Sequence, residues 1–464
     1  MGVSQSCTLD RLSNLCQMEK CIVGVTGRAS DSASSTDTWV CDLDPATTYR
    51  NRPVATTFIK IGINPGSMPK PPARGGNRQK AREALDRIEA ATGLMYEFQV
   101  YHTIVTPILD AGICPNFLRS YLVSYNCQYD DLLTTLKKGL VRHGIKPDAA
   151  FKHLNRNIHY MYEGKSERPA IQSSRGLMSA YPLPALRYMV LTTEFNSVTD
   201  YWAWLEQNHS QESRCVVLLQ IVLGLYVMSK SKLMHNDLRA PNIFVQKLPQ
   251  PTSWTYVINE QAPISIHTPY KGMIYDFDRG TSVSLGDNVY VKESGIYDPE
   301  IGLFEENRDI VCLYKSLAAE PRLAAQSLIG RFFDVSAVNA EVEWYNGRGA
   351  EIPTTLMQAI TAIEDALPAL EPAGTVYHIR DDMFMRDGSL NRDHEDLSAL
   401  RSQTTKHVAT LTEYKEALAS CNALRRRLEA QLADIEQSPK RARTGRSPFT
   451  ARKRRPEDVM EMSE

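Results

Sequence analysis

The sequence predicts an α+β protein whose strand-rich first part is followed by a mainly helical second part, a long helix and a basic tail. Short runs of β-branched and aromatic residues bounded by turn residues, at 21–28, 35–43 and 53–63, indicate three neighbouring strands. Across 211–231, apolar residues recur at the i, i+3, i+4 spacing of a buried helix. A heptad pattern over 393–437 indicates one long helix before the tail.

Composition limits the class of protein. At 464 residues the chain has room for two or three domains of about 100–200 residues each. The net charge of −1 gives no overall attraction to nucleic acid or to a membrane. The nine cysteines include no C-x-x-C pair, which argues against a zinc ribbon or a disulfide scaffold and suits a reducing compartment. The longest apolar run, 215–228, is shorter than the roughly 20 residues that span a bilayer, and no secretory signal is present. We therefore expect a soluble intracellular protein without a membrane partner.

Two segments combine apolar strands with a fixed spacing of acidic and amide residues. Residues 235–245 read H-N-D-L-R-A-P-N-I-F-V, and residues 273–278 read M-I-Y-D-F-D. They resemble the catalytic loop and the metal-binding loop of the protein-kinase-like superfamily. The resemblance implies that Asp237 orients the acceptor hydroxyl, while Asn242 and Asp276 hold magnesium. Such groups are required because phosphoryl transfer depends mostly on positioning and charge neutralisation.

A lysine in the third predicted strand is similar to the phosphate-binding lysine of that superfamily. Lys60 stands in T-T-F-I-K-I, which resembles the small-lobe strand whose lysine pairs with the α- and β-phosphates of ATP. The helical stretch that follows, at about 79–106, offers Glu97 and Glu89 as partners for this lysine. The turn and strand after the helix, at 112–124, favour Glu97.

Gly24 and Gly27 are the candidates for a loop over the ATP phosphates. They stand where the first strand is predicted to enter a turn, and glycine lets backbone N–H groups approach a phosphate closely. The third glycine of the usual pattern is missing, so a plain hairpin accounts for the segment equally well.

Further landmarks of the superfamily follow in order. A strand at 186–191 leads to a segment that resembles the hinge between the lobes and contains Glu194, where the backbone would bind adenine. Residues 298–300, D-P-E, resemble the motif that closes a kinase activation segment. Asp309, at the start of the next helix, would hold the backbone of the catalytic loop. Between the two metal-site segments, the Pro-, Thr- and Ser-rich stretch 246–271 predicts a surface hairpin on the large lobe.

Three residues depart from the usual kinase pattern. Asn236 replaces the arginine that binds a phosphate on the activation segment, so we expect an enzyme that is not strictly controlled by such a phosphate. Arg239 follows Asp237 by two positions and would offset charge on the γ-phosphoryl group, whether the acceptor is serine, threonine or tyrosine. Asp278 replaces the glycine of D-F-G and restricts the loop. H-N-D-L and D-F-D also occur in small-molecule phosphotransferases of the aminoglycoside and choline kinase type.

The predicted organisation has five parts: an N-terminal tail, a small lobe with a helical insertion, a large lobe, a long helix and a disordered basic tail. They cover 1–19, 20–195 with the insertion at about 126–185, 196–390, 393–437 and 438–464, respectively. The first residues, M-G-V-S-Q-S, fit a myristoylation pattern at Gly2, and a free tail is the alternative.

The long helix and the tail suggest partners. The heptad pattern at 393–437 predicts self-association as a coiled coil or docking on another surface. Two basic clusters within 438–455 read as a bipartite signal for a nuclear import receptor, with a nucleic-acid arm as the alternative. The expected location is the nucleus, ahead of the cytoplasm and of a lipid-anchored state.

The resemblance implies a bilobal kinase-like fold with an antiparallel β small lobe, a mainly helical large lobe, and ATP and Mg²⁺ between them. The form of the motifs is similar to divergent protein kinases of large DNA viruses. The expected function is transfer of the γ-phosphate to a hydroxyl of a protein substrate, serine or threonine ahead of tyrosine. A small-molecule phosphotransferase and a pseudokinase scaffold are the alternatives.

Overall fold

The computed structural model shows an α+β protein in which an antiparallel five-stranded sheet precedes a helix-rich part, so the predicted fold class is confirmed. The structure describes residues 7–9, 18, 20–28, 36–64, 93–142, 187–286, 288, 291, 308–318 and 356–391.

Strands and helices are numbered separately, each in chain order. The strands are β1 Ile22–Arg28, β2 Asp37–Leu43, β3 Thr48–Tyr49, β4 Arg52–Pro53, β5 Thr56–Ile63, β6 Ser120–Gln128, β7 Arg187–Glu194, β8 Val198–Asp200, β9 Leu233–Met234, β10 Ile243–Ile258, β11 Ile264–Ile274, β12 Thr281–Ser282 and β13 Thr375–Ile379. The α-helices are α1 Gly93–Val100, α2 Thr106–Asp110, α3 Tyr129–Arg142, α4 Tyr201–Leu205, α5 Gln211–Lys230, α6 Arg308–Ala318 and α7 Leu356–Glu364. A π-helical segment, Tyr101–Val105, joins α1 to α2.

The five-stranded sheet has the order β1-β2-β5-β7-β6, with every neighbouring pair antiparallel. The pairing of β1 with β2 shifts register between Ile22 and Gly24 and again between Val25 and Gly27. Glycine within a strand commonly marks such an irregularity, because it lacks a side chain to pack. The strand continues through both glycines, whereas the sequence predicted that it would already turn there.

Strand β5 separates two environments. Ile59, Ile61 and Ile63 belong to the buried cluster on one face of the sheet, together with Leu132 of α3. Successive side chains in a strand point to opposite faces, so Lys60 points to the other face, towards Glu97 of α1 and Asp276 after β11. The alternation in T-T-F-I-K-I thus determines where the lysine lies.

Helix α5 is the central helix of the second core. It begins after Ser210, whose side chain accepts a hydrogen bond from the Ser213 N–H, and every residue from 215 to 229 is buried. Among the described helices it is long and apolar enough to cross a membrane, but 83% of the relevant window is buried inside the protein. The polar residue in its apolar run, Gln220, accepts a hydrogen bond from the Gly272 N–H of β11 at 2.8 Å. The predicted buried helix is therefore confirmed, and its glutamine fastens it to the next sheet.

The hairpin β10–β11 forms where the sequence predicted a surface hairpin, but much of it is buried. Tyr256, Ile258 and Ile266 are 0–2% exposed within the main hydrophobic cluster. Strand β13 pairs in parallel with the far end of β10, from Trp254 to Ile258. The turn at 259–263 and residues 249–251 are exposed, as expected for a surface hairpin, while a short apolar alternation on one face packs into the core.

The N-terminal residues are fastened to the small lobe. Cys7 and Cys21 form a disulfide with their Cα atoms 5.6 Å apart, and the Thr48 N–H donates to the Cys7 carbonyl at 2.9 Å. Leu9 and Met18 join the buried cluster under the sheet. The cysteine spacing had argued against a disulfide scaffold, and this disulfide forms because the fold brings Cys7 and Cys21 together rather than through a C-x-x-C pattern.

Several predictions fall outside the described residues: the myristoylation pattern at Gly2, the candidate Glu89, the D-P-E motif at 298–300, the long helix at 393–437 and the basic tail at 438–464. The predicted insertion at 126–185 is described only as far as the end of α3.

Candidate active site

Lys60 lies between two carboxylates from distant parts of the chain. Its Nζ donates to Glu97 Oε2 of α1 at 2.7 Å and to Asp276 Oδ1, just after β11, at 2.5 Å. The Lys60 side chain is 9% exposed and that of Glu97 is 1% exposed, whereas that of Asp276 is 26% exposed. The structure thus brings together three residues that the sequence singled out separately, with Asp276 facing the solvent side.

The charges in this cluster are unequal. Burial opposes the charge on Lys60, but Asp276 and Glu97 outweigh it and raise the pKa of the lysine well above its ordinary value. Burial also disfavours a charge on Asp276, yet Lys60 holds its pKa below the ordinary value. Burial raises the pKa of Glu97 to about 8, partly offset by Lys60. Lys60 and Asp276 therefore stabilise each other's charges, whereas burial opposes a charge on Glu97.

Asp278 adds another carboxylate to the same region. Burial and, to a smaller extent, the charge of Asp276 raise its pKa to about 6, against the attraction of Lys60 and Arg279. Asp278 occupies a 3₁₀ turn, Phe277–Arg279, and Asp276 before it has the left-handed backbone with φ 72°. The excess of carboxylates favours a cation at this place.

The backbone at His235 and Asn236 is held from behind by α6. The carboxylate of Asp309 accepts hydrogen bonds from the His235 N–H at 2.7 Å and the Asn236 N–H at 2.9 Å. Asn236 has φ 64°, a left-handed conformation that is uncommon for non-glycine residues but that asparagine adopts more readily than most. Burial raises the pKa of Asp309, while His235 and the two N–H groups lower it. The expected contact between Asp309 and this backbone is confirmed.

Asp237 faces two guanidinium groups. Arg239 binds both carboxylate oxygens, Nε to Oδ1 at 3.0 Å and Nη2 to Oδ2 at 3.1 Å. Arg279 Nη1 lies 3.4 Å from Oδ2. The sequence analysis singled out Arg239 but not Arg279. The available signal was its position directly after D-F-D, in the same turn as Asp278.

The oxygens around Asp276 fit magnesium bound together with phosphates. The Asn242 Nδ2 donates to the Asp237 carbonyl at 2.8 Å, which orients the amide and leaves its Oδ1 as a ligand atom. Asp276 and Asp278 supply carboxylate oxygens, and Mg²⁺ prefers one or two carboxylates with the remaining positions taken by water and phosphate. In the described parts of the chain, no cluster of three or more His, Cys, Asp or Glu side chains forms an all-protein metal site.

Aromatic rings line the region where β7 leads into the second part of the chain. Phe58 stacks on Phe195 with ring centroids 5.7 Å apart, and Phe195 meets Phe244 edge-on at 5.6 Å. Phe244 stacks on Tyr275 at 3.9 Å. Phe58 precedes Lys60 by two residues in β5, and Tyr275 precedes Asp276. The aromatic surface therefore borders the lysine cluster.

Glu194 ends β7 beside these rings. Its N–H donates to the Arg119 carbonyl at 2.9 Å, and its Oε1 lies 3.3 Å from Lys271 Nζ. These contacts tie the end of the first sheet to β11. The backbone role proposed for this segment in binding adenine remains a prediction, as does the phosphate-binding role of Gly24 and Gly27, because residues 29–35 after β1 lie outside the described part of the chain.

Comparisons with known proteins add little to this geometry. No family model and no curated protein sequence matches the chain. One solved structure that it matches is WaaP in complex with acyl carrier protein, at 9% identity and a TM-score of 0.28, over 76% of this chain and 91% of that chain. A likeness at this level carries no argument about function, which therefore has to come from the site itself.

Proposed function

We propose that the chain is an ATP- and Mg²⁺-dependent phosphotransferase that transfers the γ-phosphate to a hydroxyl group. The observation that carries the proposal is the position of Lys60 between Glu97 and Asp276, at 2.7 and 2.5 Å. A buried lysine with two carboxylates is a costly arrangement unless the site uses its charge. Phosphate oxygens of ATP are the partners that this charge would meet.

In this proposal each residue has a defined task. Lys60, oriented by Glu97, binds the phosphates. Asp237 accepts a hydrogen bond from the acceptor hydroxyl and directs its oxygen towards the γ-phosphorus. Arg239 and Arg279, which contact Asp237 at 3.0–3.4 Å, lie where they can meet the negative charge of the transferring group.

Asn242 and Asp276 would hold the magnesium ion, and Asp278 stands near enough to add a carboxylate or to bind a metal-bound water. The ion would neutralise phosphate charge during transfer. The carboxylates around Lys60 support this role, because burial and, next to it, neighbouring carboxylates raise the pKa values of Glu97 and Asp278, and a cation at that place would stabilise their charged forms.

The aromatic rings support binding of a nucleotide base. Phe58 and Phe244 are 8% and 7% exposed, and their ring centroids are 6.5 Å apart in a region that borders Lys60. A purine has a large π-face, and aromatic side chains can bind it by stacking. We propose that the base stacks on this surface beside the segment that contains Glu194.

For the acceptor we propose a serine or threonine of a protein. The contact between Asp309 and the catalytic loop supports this choice, because it is one of the landmarks by which the sequence resembles protein kinases rather than small-molecule phosphotransferases.

We also propose that 438–455 binds a nuclear import receptor and that 393–437 self-associates. Deletion of 438–464 should then move a fluorescent fusion out of the nucleus, and sedimentation should show a larger species only while 393–437 is present.

The experiment is transfer from γ-labelled ATP with Mg²⁺ by the full chain, to itself and to generic protein acceptors. Asp237→Asn removes the carboxylate charge at the proposed site, and Asp365→Asn makes the same change at an exposed position at the end of α7. Label on serine or threonine that is lost in Asp237→Asn and kept in Asp365→Asn supports the proposal. ATP binding without protein labelling would favour a small-molecule acceptor or a scaffold. Absence of both labelling and ATP binding would refute it.

A further inference from the structure

Tyr96 and Glu97 are neighbours on α1 that reach different parts of the site. Consecutive residues of a helix point about 100° apart. Glu97 binds Lys60 of the sheet, while the Tyr96 side chain, 5% exposed, reaches the segment that follows Asp276. One turn of helix is therefore attached to both sides of the cluster.

The Tyr96 hydroxyl uses both of its hydrogen-bonding capacities on backbone groups of that segment. It accepts a hydrogen bond from the Ser282 N–H at 2.7 Å and donates to the Gly286 carbonyl at 2.9 Å. The Gly286 N–H donates in turn to the Ser282 carbonyl at 3.1 Å. Residues 282–286 thus form a turn whose two ends are fixed by one hydroxyl, an arrangement called here the Tyr96 bridge.

The same segment is held further by two amide side chains. The Asn236 Nδ2 donates to the Arg279 carbonyl and to Thr281 Oγ1, both at 2.9 Å. The Asn288 Nδ2 donates to the Asp278 carbonyl at 3.0 Å and to the Gly280 carbonyl at 2.7 Å. These contacts join neutral groups, so they need no phosphate to form.

We propose that Tyr96 is a positioning residue for the phosphotransferase activity. The Tyr96 bridge couples the helix that carries Glu97 to the segment after Asp276, and so keeps both carboxylates on Lys60 without a phosphorylated segment. The inference depends on the proposed function for its catalytic part. The bridge itself is a physical contact that can be measured separately.

The test compares Tyr96→Phe with Tyr201→Phe in the full chain. Both tyrosines are buried, but the Tyr201 hydroxyl has no hydrogen-bond partner in the part of the chain that the structure describes. Tyr96→Phe keeps the ring and removes both contacts of the bridge, so we expect kcat to fall about tenfold with the KM for ATP changed less than about twofold. The Ser282 amide should exchange hydrogen about tenfold faster, because it loses its acceptor. Tyr201→Phe should change neither quantity.

A double-mutant cycle separates positioning from general stability. If the bridge acts by placing Glu97, adding Tyr96→Phe to Glu97→Gln should lower kcat by much less than it does in the wild type. Phosphatase treatment of the wild type should leave kcat within about twofold, since the bridge replaces a phosphate-dependent contact.

Three results would overturn the inference: unchanged kcat and Ser282 exchange in Tyr96→Phe, equal effects in Tyr201→Phe, or additive losses in the cycle. A wild type that transfers no phosphate would refute the proposed function and the positioning role together. Ser282 exchange in Tyr96→Phe would then still decide whether the bridge exists.

Discussion

Removing the carboxylate of Asp309 should destabilise the protein and displace its proposed catalytic loop. Asp309 is 6% exposed, and its two oxygens accept hydrogen bonds from the His235 N–H at 2.7 Å and the Asn236 N–H at 2.9 Å. Both donors are buried, and Asn236 is held at φ 64°. Asp309→Ala leaves two buried donors without an acceptor and removes the group that stabilises this conformation.

The magnitude follows from those two donors. An unsatisfied buried N–H costs about 1–3 kcal/mol, so Asp309→Ala, which leaves two of them, should lower the free energy of unfolding by roughly 2–6 kcal/mol. Asp309→Asn keeps one acceptor oxygen but places an amide N–H₂ against the other donor, so its loss should be smaller, about 1–3 kcal/mol. A displacement of the loop by about 1 Å can reduce the rate on the order of a hundredfold, and we expect such a fall in kcat for Asp309→Ala.

The assay is urea unfolding followed by tryptophan fluorescence, together with phosphate transfer. Asp365→Ala, at an exposed position, is the matched control and should change the free energy of unfolding by less than about 0.5 kcal/mol. The reasoning would be refuted if Asp309→Ala unfolded at the same urea concentration as this control. It would also be refuted if Asp309→Asn were the more damaging of the two substitutions.

Three further predictions concern other parts of the fold. Gly388 has φ 84°, and a Cβ there would lie 2.2 Å from the Ser231 carbonyl oxygen, so Gly388→Ala should cost about 2 kcal/mol or more in urea unfolding; an unchanged midpoint would contradict the close approach. Cys7→Ser opens a disulfide between residues 14 apart in sequence and should lower the free energy of unfolding by about 3 kcal/mol, and reductant should lower the Tm of the wild type but not of the variant. The folded-state pKa of Asp278, about 6, lies above its unfolded value, so its contribution to stability is present at low pH and is lost as pH rises from about 4 to 6. Without added Mg²⁺, the Tm of Asp278→Asn minus that of the wild type should therefore be larger at pH 8 than at pH 5. An equal difference at both pH values would contradict the raised pKa of Asp278.

The sequence by itself was sufficient for features that depend on local pattern. The periodicity of 211–231 predicted α5, and the β-branched and aromatic residues of T-T-F-I-K-I predicted β5 with Lys60 in it. Such features are readable because a residue's neighbours in the chain are also its neighbours in the element.

The sequence also chose Glu97 over Glu89 as the partner of Lys60, and the structure places Glu97 in contact with the lysine. That choice came from the order of known landmarks. The two residues are 37 positions apart in sequence, so no local pattern could show that their side chains are in contact.

The tertiary structure decided which groups from distant segments share one place. Arg279 contacts Asp237, the Tyr96 hydroxyl contacts Ser282 and Gly286, and Cys7 is bonded to Cys21. Each of these contacts exists only because the segments that carry the residues pack together. The hairpin β10–β11 shows the same limit, because its polar flanks predicted exposure while pairing with β13 buried its far end. Burial and long-range hydrogen bonds are properties of packed surfaces, and a sequence records only which residues are available to form them.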